Sequence, residues 1–238
     1  MRLLDLFCGA GGAAMGYHRA GFDEIIGVDW APQRHYPFKF VQMSAFNFRI
    51  GSWDKWDAIH ASPPCQAHTA LRTAWNAKPH TDVIPDVRAL LQTTTLPYVI
   101  ENVPNAPLLT PILLCGSHFK LGTADAELRR HRLFESNVLL QSPGLCKHGQ
   151  NRQRTIGVYD GHGRNRQRVP TIGVYGGGHG ESLHRGQRGQ RNYTADEQRE
   201  AMGIDWMTVN ELSQAVPPAY TEFIGRQILQ SITGVIAR

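Results

Sequence analysis

Residues 2–20, RLLDLFCGAGGAAMGYHRA, are the stretch that we expect to determine the fold. The apolar run at 2–7 is typical of a buried β-strand, and residues 11–20 are expected to form a helix. The turn between them contains Gly9, Gly11 and Gly12. Glycine lets the backbone turn tightly and approach a ligand closely, and a helix N-terminus favours an anionic group. Strand, turn and helix together predict a nucleotide-type cofactor loop.

The rest of the chain continues this alternation of apolar runs and helical segments. Strands are expected at 24–29, 57–61, 97–102, 111–115 and 131–135, and helices at 83–94 and 219–238. The last helix is amphipathic, with Phe223, Ile224, Ile228, Ile232 and Ile236 at helical spacing. Strands that alternate with helices predict an α/β fold with a doubly wound, mostly parallel sheet.

An acidic residue follows the second predicted strand, where a nucleotide site needs one. Asp29 lies 20 residues after Gly9, a position from which a carboxylate binds ribose hydroxyls. Trp30, beside it, offers an aromatic face to adenine. These residues predict an adenosine-type cofactor but do not distinguish a dinucleotide from S-adenosylmethionine.

The sequence ASPPCQAHT at 61–69 holds a cysteine behind two prolines, directly after a predicted strand. Glu101 lies near the end of the strand predicted at 97–102. Because ligands bind at the carboxyl ends of parallel strands, Cys65 and Glu101 are expected to share one crevice with the cofactor loop. A thiolate beside a carboxyl group suits covalent addition to an electron-poor ring. We therefore interpret Cys65 as a nucleophile and Glu101 as its acid.

The positive charge of the chain is concentrated in one glycine-rich segment. The net charge is +5, and nine Lys or Arg against two acids lie between Lys147 and Arg191. Within this segment, NRQRTIGVYDGHG at 151–163 returns as NRQRVPTIGVYGGGHG at 165–180. The apolar residues of each copy need burial, which favours a small duplicated β insertion; a flexible low-complexity loop is the alternative. The charge favours a polyanionic partner.

Several classes of protein do not fit the composition. The 238 residues contain no stretch of about 18 apolar residues, so no transmembrane helix is expected. The N-terminus lacks the apolar region and cleavage site of a signal peptide. The cysteines are scattered rather than spaced as a disulfide framework, which favours a reducing cytoplasm. They are Cys8, Cys65, Cys115 and Cys146.

These motifs resemble, almost end to end, those of the DNA cytosine-5 methyltransferases, in a short form of the kind that phages carry. They are DLFCGAGG (5–12), Asp29-Trp30, PPCQ (63–66), ENV (101–103), RRHRLF (129–134), RNYTADEQREAMGI (191–204) and SQAVPP (213–218). The resemblance implies a Rossmann-like, S-adenosylmethionine-dependent methyltransferase fold with a small β-rich target-recognition insertion. The domains expected are a catalytic and cofactor-binding domain at 1–140, a basic recognition region at 141–193 and a return segment at 194–238.

The resemblance also implies roles for individual residues. Cys65 would attack C6 of a cytosine extruded from double-stranded DNA while Glu101 bonds N3, and the methyl group of S-adenosylmethionine would pass to C5, leaving S-adenosylhomocysteine. The implied catalytic residues are Cys65, Glu101, Arg130 and Arg132. The implied cofactor-binding residues are Phe7, Gly9, Gly11, Gly12, Asp29, Trp30, Ser44, Ala45, Pro64, Gln214 and Val216. The implied DNA-binding residues are Gln66, Arg152, Arg154, Arg166 and Arg168. A monomer without an obligate protein partner is expected, in a bacterial or phage-infected cell.

A few positions depart from the family's usual pattern. Ser44 stands where an Asp is usual, so contact with adenine is expected to be weaker there. Ser213-Gln214 stands where Gly-Asn is usual, and Gln214 keeps the amide group on a longer side chain. His68-Thr69 replaces Phe-Ser in the nucleophile loop. None of these changes removes the nucleophile, the acid or the cofactor glycines, so an active enzyme is expected.

Three other functions fit parts of the sequence: an RNA cytosine-5 methyltransferase, a non-catalytic DNA-binding homologue and a nicotinamide-dependent oxidoreductase. The intact Cys65 and Glu101 argue against the second, and the third leaves PPCQ, ENV and RHR unexplained. Cys115-x-x-His118 and Cys146-x-His148 resemble halves of a zinc site, but the second spacing is tight and nothing in the sequence joins the pairs. No metal site is therefore predicted.

Overall fold

The computed structural model describes residues 1–48, 55–68, 80–148, 171–172 and 193–234. The strands are β1 (Arg2–Leu6), β2 (Glu24–Asp29), β3 (Lys39–Gln42), β4 (Ala58–Ala61), β5 (Tyr98–Asn102), β6 (Ile112–Leu114), β7 (Glu127–Leu128), β8 (Arg132–Ser136) and β9 (Thr171–Ile172). The helices are α1 (Gly12–Ala20), α2 (Ile84–Leu91), α3 (Ala195–Met202), α4 (Val209–Gln214) and α5 (Pro218–Thr233), with a 3-10 turn at Gly116–His118. Among the described residues, no helix is long and apolar enough to cross a membrane.

Seven of these strands form one sheet in the order β3-β2-β1-β4-β5-β8-β6. The first five run parallel, and β8 runs antiparallel to both of its neighbours, β5 and β6. The predicted α/β class with a mostly parallel sheet is confirmed. The sequence did not reveal β3, because this strand lies at the edge of the sheet and its residues, KFVQ, are exposed or half-buried.

The apolar runs that predict strands build the core of the sheet. β4 and β5 are buried along their whole length, as expected for central parallel strands covered on both faces. Leu4 and Leu6 of β1 belong to the same apolar cluster as Ile59 and Ile100 of those two strands. The six strands predicted before residue 140 all form, with ends within one residue of those expected.

Two predicted helices end earlier than expected. α2 ends at Leu91 rather than at residue 94. α5 begins at Pro218, because proline is tolerated in the first turn of a helix, where its missing N–H is not needed. It ends at Thr233 because Gly234 takes a left-handed φ of 66° as the C-terminal cap. Residues 235–238, which the sequence placed in this helix, lie outside the described residues.

Helices α1 and α5 pack with almost no space between their backbones. A Cβ atom on Gly16 would overlap Thr221 Oγ1 and the carbonyl oxygen of Pro218. On the other helix, a Cβ atom on Gly225 would lie 2.8 Å from the Cβ of Ala20. The contact between the closing helix and the helix of the cofactor loop therefore depends on two glycines.

The chain divides into two compact units. Unit 1 contains Met1–Leu114, His131–Ser142 and Ala215–Arg238, and it includes the seven-stranded sheet. Unit 2 contains Cys115–Arg130 and Pro143–Gln214. The predicted domain ranges divide the chain differently, since they group residues 115–130 and 194–214 with the catalytic domain.

Unit 2 contains the described part of the predicted β insertion. β9, formed by Thr171 and Ile172 of the second TIGVY repeat, pairs in parallel with β7, and Ile172 is buried. α3 starts at a capping box in which Thr194 and Glu197 each bind the other's backbone N–H. The first repeat lies outside the described residues.

We expect Gly16→Ala to lower the free energy of unfolding, although alanine is the better helix former by about 1 kcal/mol. The added methyl group would overlap α5, and overpacking of this kind costs about 1–3 kcal/mol. Arg19→Ala, an exposed position on the same helix, is the control. Urea denaturation measures both variants. A Gly16→Ala protein as stable as its parent would contradict the close packing of α1 on α5.

Candidate active site

The loop after β1 leaves the sheet through left-handed backbone conformations. Phe7, Gly9 and Gly11 have φ values of 56°, 49° and 86°. The Cys8 N–H donates to the Val28 carbonyl oxygen at 3.2 Å, which ties the loop to β2. α1 begins directly after Gly11, so its first backbone N–H groups, which have no partner within a helix, lie at the end of this loop.

The three glycines of the loop are needed for different reasons. A Cβ atom on Gly11 would lie 2.6 Å from Pro37 Cδ, and one on Gly12 would overlap the carbonyl oxygen of Val216. These two glycines allow close packing within the protein, a role that the sequence did not reveal. A Cβ atom on Gly9 would meet no described atom within 4 Å. Of the three, Gly9 is therefore the one with space for a ligand.

Asp29, at the end of β2, holds the cofactor loop. Its Oδ2 accepts a hydrogen bond from the Gly9 N–H at 3.1 Å, and its Oδ1 accepts one from the Ala31 N–H at 3.0 Å. An ionised carboxylate has about four acceptor positions, so these two bonds leave capacity for hydroxyl groups of a ligand. Asp29 thus shapes the loop as well as being suited to the predicted contact with ribose.

Exposed apolar side chains lie where β2 and β3 end. Trp30 is 74% exposed, Phe46 44% and Met43 40%. Phe46 packs edge-on against Phe7, with ring centroids 5.8 Å apart, and the Met43 N–H donates to the Asp29 carbonyl oxygen at 2.8 Å. An exposed apolar patch beside a polar loop is typical of a ligand site. The sequence identified Trp30 and Phe7 but missed Phe46 and Met43, which no motif marks.

The other predicted cofactor residues differ in their surroundings. Ala45 is buried and packs in the core cluster of the sheet, so its side chain belongs to the core. Val216 is buried too, and its backbone lies against Gly12 of the cofactor loop. Ser44 is half-buried, whereas Pro64 and Gln214 are exposed.

The loop that carries Cys65 is braced on both sides of the thiol. Before it, the Asn102 side chain at the end of β5 donates to the Pro63 carbonyl oxygen at 2.9 Å. After it, the His68 N–H donates to the Cys65 carbonyl oxygen at 2.9 Å, and His68 Nε2 lies 3.0 Å from Asp82 Oδ1. Cys65 itself is half-buried. The structure therefore places the predicted nucleophile on a fixed loop beside the strand that carries Glu101.

A buried chain of hydrogen bonds supports the strand before this loop. The Tyr17 hydroxyl lies 3.1 Å from His60 Nδ1, and His60 Nε2 lies 2.9 Å from Ser62 Oγ. Burial lowers the pKa of His60 to about 3, so the ring is neutral at physiological pH. A neutral imidazole donates at one nitrogen and accepts at the other, which satisfies both neighbours.

Glu101 and Arg132 form a buried ion pair. Arg132 Nε lies 2.9 Å from Glu101 Oε1, and Glu101 is 5% exposed. Arg132 is the first residue of β8, which pairs Glu101 of β5 with Phe134. The structure thus brings together the predicted acid and one of the two predicted arginines.

The other arginine of the RRHRLF motif has a different partner. Arg130 is buried, and its Nη2 donates to the carbonyl oxygen of Ser213 at 2.6 Å. Ser213 lies in the last turn of α4, where a cation is favourable. Arg130 is thus bound to the end of α4, whereas Arg132 contacts Glu101, and a role of either arginine in holding the target base stays a prediction.

Most of the predicted DNA contacts fall outside the described residues. These are Arg152, Arg154, Arg166 and Arg168. Gln66 is described, and it is exposed directly after the nucleophile.

Comparison with known proteins agrees with the geometry. Residues 1–107 match the family model of C-5 cytosine-specific DNA methylases. The matched part, a little under half of the chain, is thus similar to the C-5 cytosine-specific DNA methylases. The resemblance seen in the sequence is confirmed, and the match supports methyl transfer to cytosine. It includes the cofactor loop, the loop of Cys65 and Glu101, whereas Arg132 lies beyond it.

Two solved structures share the fold over nearly the whole chain. One is a protein encoded within an E. coli prophage and assigned as a DNA modification methyltransferase. Its sequence is 16% identical, the alignment covers 99% of this chain and 100% of that chain, and the TM-score is 0.56. The other is the S. pombe Dnmt2 methyltransferase, with 14% identity, 98% and 99% covered, and a TM-score of 0.62. No curated protein sequence matches the chain.

A buried acid precedes the cofactor loop, and no motif in the sequence marks its burial. Asp5 in β1 is 0% exposed; its Oδ2 accepts from the Tyr36 hydroxyl at 3.2 Å, and its Oδ1 has no hydrogen-bond partner among the described residues. Burial raises the pKa of Asp5 to about 8, so its carboxyl group is largely protonated at neutral pH. The available signal was a lone acid inside the apolar run RLLDLF.

We expect Asp5→Asn to flatten the dependence of stability on pH. Between about pH 4 and pH 8 the folded protein keeps a proton on Asp5, whereas the unfolded chain has lost it. The free energy of unfolding of the parent therefore falls as the pH rises through this range, by at most about 1.4 kcal/mol per pH unit. Asparagine stays neutral in both states. Urea denaturation across this range measures the difference between variant and parent.

Below its ordinary pKa of 6.5, His60 makes the free energy of unfolding rise with pH, which is the opposite of the effect of Asp5. Because His60 is present in both variant and parent, its contribution cancels when the two are compared. Asp205→Asn, at an exposed position, is the control and should follow the parent. An Asp5→Asn protein with the parent's full pH slope would show that Asp5 ionises normally in the fold.

Proposed function

We propose that the protein transfers a methyl group from S-adenosylmethionine to C5 of cytosine in double-stranded DNA, through a covalent bond between Cys65 and C6 of an extruded base. The observation that carries this proposal is the buried ion pair between Arg132 of β8 and Glu101 of β5, the strand whose Asn102 holds the loop of Cys65. A nucleophilic thiol and an acid at the ends of neighbouring strands are the groups that addition to cytosine needs.

Each residue has a defined part in the reaction. The Cys65 thiolate adds to C6 while Glu101 holds a proton at N3, so the ring does not accumulate negative charge. Formation of the Cys65–C6 bond makes C5 nucleophilic. S-adenosylmethionine, when bound, supplies an electrophilic methyl group. Transfer of the C5 proton to water then restores the aromatic ring and breaks the bond to Cys65, whose sulfur leaves as a thiolate while the N3 proton returns to Glu101.

Arg132 is suited to orient the acid rather than to react. Its guanidinium contacts Glu101 at Oε1, and both side chains are largely buried, at 15% and 7% exposed. A buried, ion-paired carboxyl group has few orientations available. Because the acid is already held in place, less free energy is needed to bring it into the reactive geometry with the cytosine.

The residues around the cofactor loop fit an adenosine group. Gly9 has space above its backbone, Asp29 has acceptor capacity for ribose hydroxyls, and Trp30 presents a ring that is 74% exposed. Phe7 and Phe46 add an apolar surface beside them. A small number of polar groups next to exposed aromatic rings is the composition expected of such a site.

Double-stranded DNA as the substrate is supported by charge and by the chemistry. Nine Lys or Arg against two acids lie between residues 147 and 191, which suits binding to phosphates. A base stacked in a duplex exposes neither face of its ring to a thiol, so the cytosine has to leave the helix. Cytosine in RNA is the competing substrate that the assay must separate.

We expect Glu101→Gln to lower kcat by about 10²–10⁴-fold, because an amide keeps a contact to N3 but cannot share a proton with it. Glu135 offers a matched control, since it is also buried, at 4% exposed, and pairs with Arg88 at 2.7 Å. Glu135→Gln is expected to lower stability and leave kcat unchanged.

Transfer of tritiated methyl from S-adenosylmethionine to unmethylated duplex DNA measures both variants, with transfer RNA as the competing substrate. Equal losses of kcat in the two variants would show that Glu101 serves only as a partner in a structural ion pair. Label in RNA and none in DNA would contradict the proposed substrate.

A further inference from the structure

Unit 2 is built from two separate segments of the chain, and metal-binding side chains of both segments lie together. The segments are Cys115–Arg130 and Pro143–Gln214. Cys115 begins the first segment, and Cys146 and His148 lie near the start of the second. One ligand atom from each of these three residues lies within 4.8 Å of the other two, and Cys115 Sγ is 3.2 Å from His148 Nε2. Two thiols and an imidazole therefore converge within one unit.

The 3-10 turn at Gly116–His118 binds the second segment to the first. The backbone N–H of Lys147, between the cysteine and the histidine of the second segment, donates to Ser117 Oγ at 3.2 Å. The Ser117 hydroxyl in turn donates to Cys115 Sγ at 3.4 Å. The three side chains are thus held together by contacts of the neighbouring backbone and hydroxyl as well as by their own.

His118 lies in the same turn as Cys115 and is a further sign of a bound ion. Its Nδ1 accepts a hydrogen bond from the Cys115 backbone N–H at 3.3 Å. Its Nε2 is buried and has no hydrogen-bond partner among the described residues. A buried polar atom without a partner is uncommon in folded proteins, and an ion bound nearby is one physical reason for it.

The chemistry of this cluster suits zinc. We propose that Cys115, Cys146 and His148 bind a zinc ion. Thiolate and imidazole are ligands that zinc prefers, and soft sulfur ligands favour zinc over magnesium or calcium. Three protein ligands are enough to hold zinc, and the fourth position then takes water or a further donor. The sequence predicted no metal site because nothing in it joined Cys115 to the Cys146-x-His148 pair, whereas the fold of unit 2 brings them together.

A zinc ion at this point would crosslink the two segments of unit 2. Residues 131–142, which separate the segments in the sequence, belong to unit 1. A crosslink between distant segments restricts the unfolded chain, and the free energy of metal binding adds to the free energy of folding. Cys146 and His148 also lie at the start of the basic segment, Lys147 to Arg191, so the ion would anchor the point where that segment begins.

The test is metal analysis of the full chain, purified from cells grown with added zinc and dialysed without chelator. We expect about one zinc ion per chain by elemental mass spectrometry. His148→Ala and Cys146→Ser each remove a ligand and should weaken zinc binding by at least about 10-fold, a loss found even for groups that only contact a ligand. Competition with a zinc-binding dye measures this affinity. His148 is exposed, so its replacement disturbs packing least.

Two variants outside the cluster serve as matched controls. Cys65 is half-buried, as Cys146 is, and His80 is exposed, as His148 is. Cys65→Ser and His80→Ala should therefore keep about one zinc ion per chain, with the affinity of the parent.

Cobalt provides a second readout that reports on the ligands. Replacing zinc by Co²⁺ should give the intense visible bands of a tetrahedral site and a thiolate-to-metal band in the near ultraviolet. Cys146→Ser should lose at least about half of the thiolate band, since one of two sulfur ligands is removed, while Cys65→Ser should keep all of it. A chelator should lower the melting temperature of the parent by more than that of His148→Ala.

The opposite results would overturn the site. A folded parent with no zinc and no thiolate band would do so, as would parental zinc affinity in both ligand variants. A disulfide between Cys115 and Cys146 in place of zinc, read from the mass of the intact chain, would also overturn it. Because Cys65→Ser should abolish methyl transfer and retain zinc, failure of the metal site and failure of the proposed reaction are separate outcomes.

Discussion

The buried contact between Glu101 and Arg132 depends on the direction in which β8 runs. In a parallel sheet every strand begins at the edge opposite the one where ligands bind, so a parallel neighbour could not place its first residue beside the end of β5. β8 runs antiparallel, with Asn102 opposite Leu133, and its first residue, Arg132, therefore lies just beyond the end of β5. Removing one partner of a buried ion pair costs about 3–5 kcal/mol, so this strand direction is strongly constrained.

The same strand also has a second neighbour. On its other side β8 pairs with β6, in a register that sets Leu114 opposite Arg132. One antiparallel strand therefore carries the arginine of the acid pair and joins β6 to the sheet. A shift of register by one residue would turn every side chain of β8 to the other face and disrupt the ion pair.

Local features of this arrangement could be predicted from the sequence. The strand, turn and helix of residues 2–20, the parallel strands and the positions of Cys65 and Glu101 at strand ends all follow from short patterns. Features set by distant pairing could not: the direction of β8, the packing of Val216 on Gly12 and the approach of Cys146 to Cys115. The burial of Asp5 depends likewise on neighbours that no motif marks.

A covalent trap would show whether Cys65 is the nucleophile. Duplex DNA with 5-fluorocytosine at the target position would be incubated with the protein and S-adenosylmethionine, digested, and analysed by peptide mass spectrometry. Fluorine cannot leave C5 as a proton does, so we expect a stable adduct on the peptide that contains Cys65, and none with Cys65→Ala. Methylation of ordinary cytosine by the Cys65→Ala protein, or an adduct on Cys8 or Cys146 instead, would contradict it.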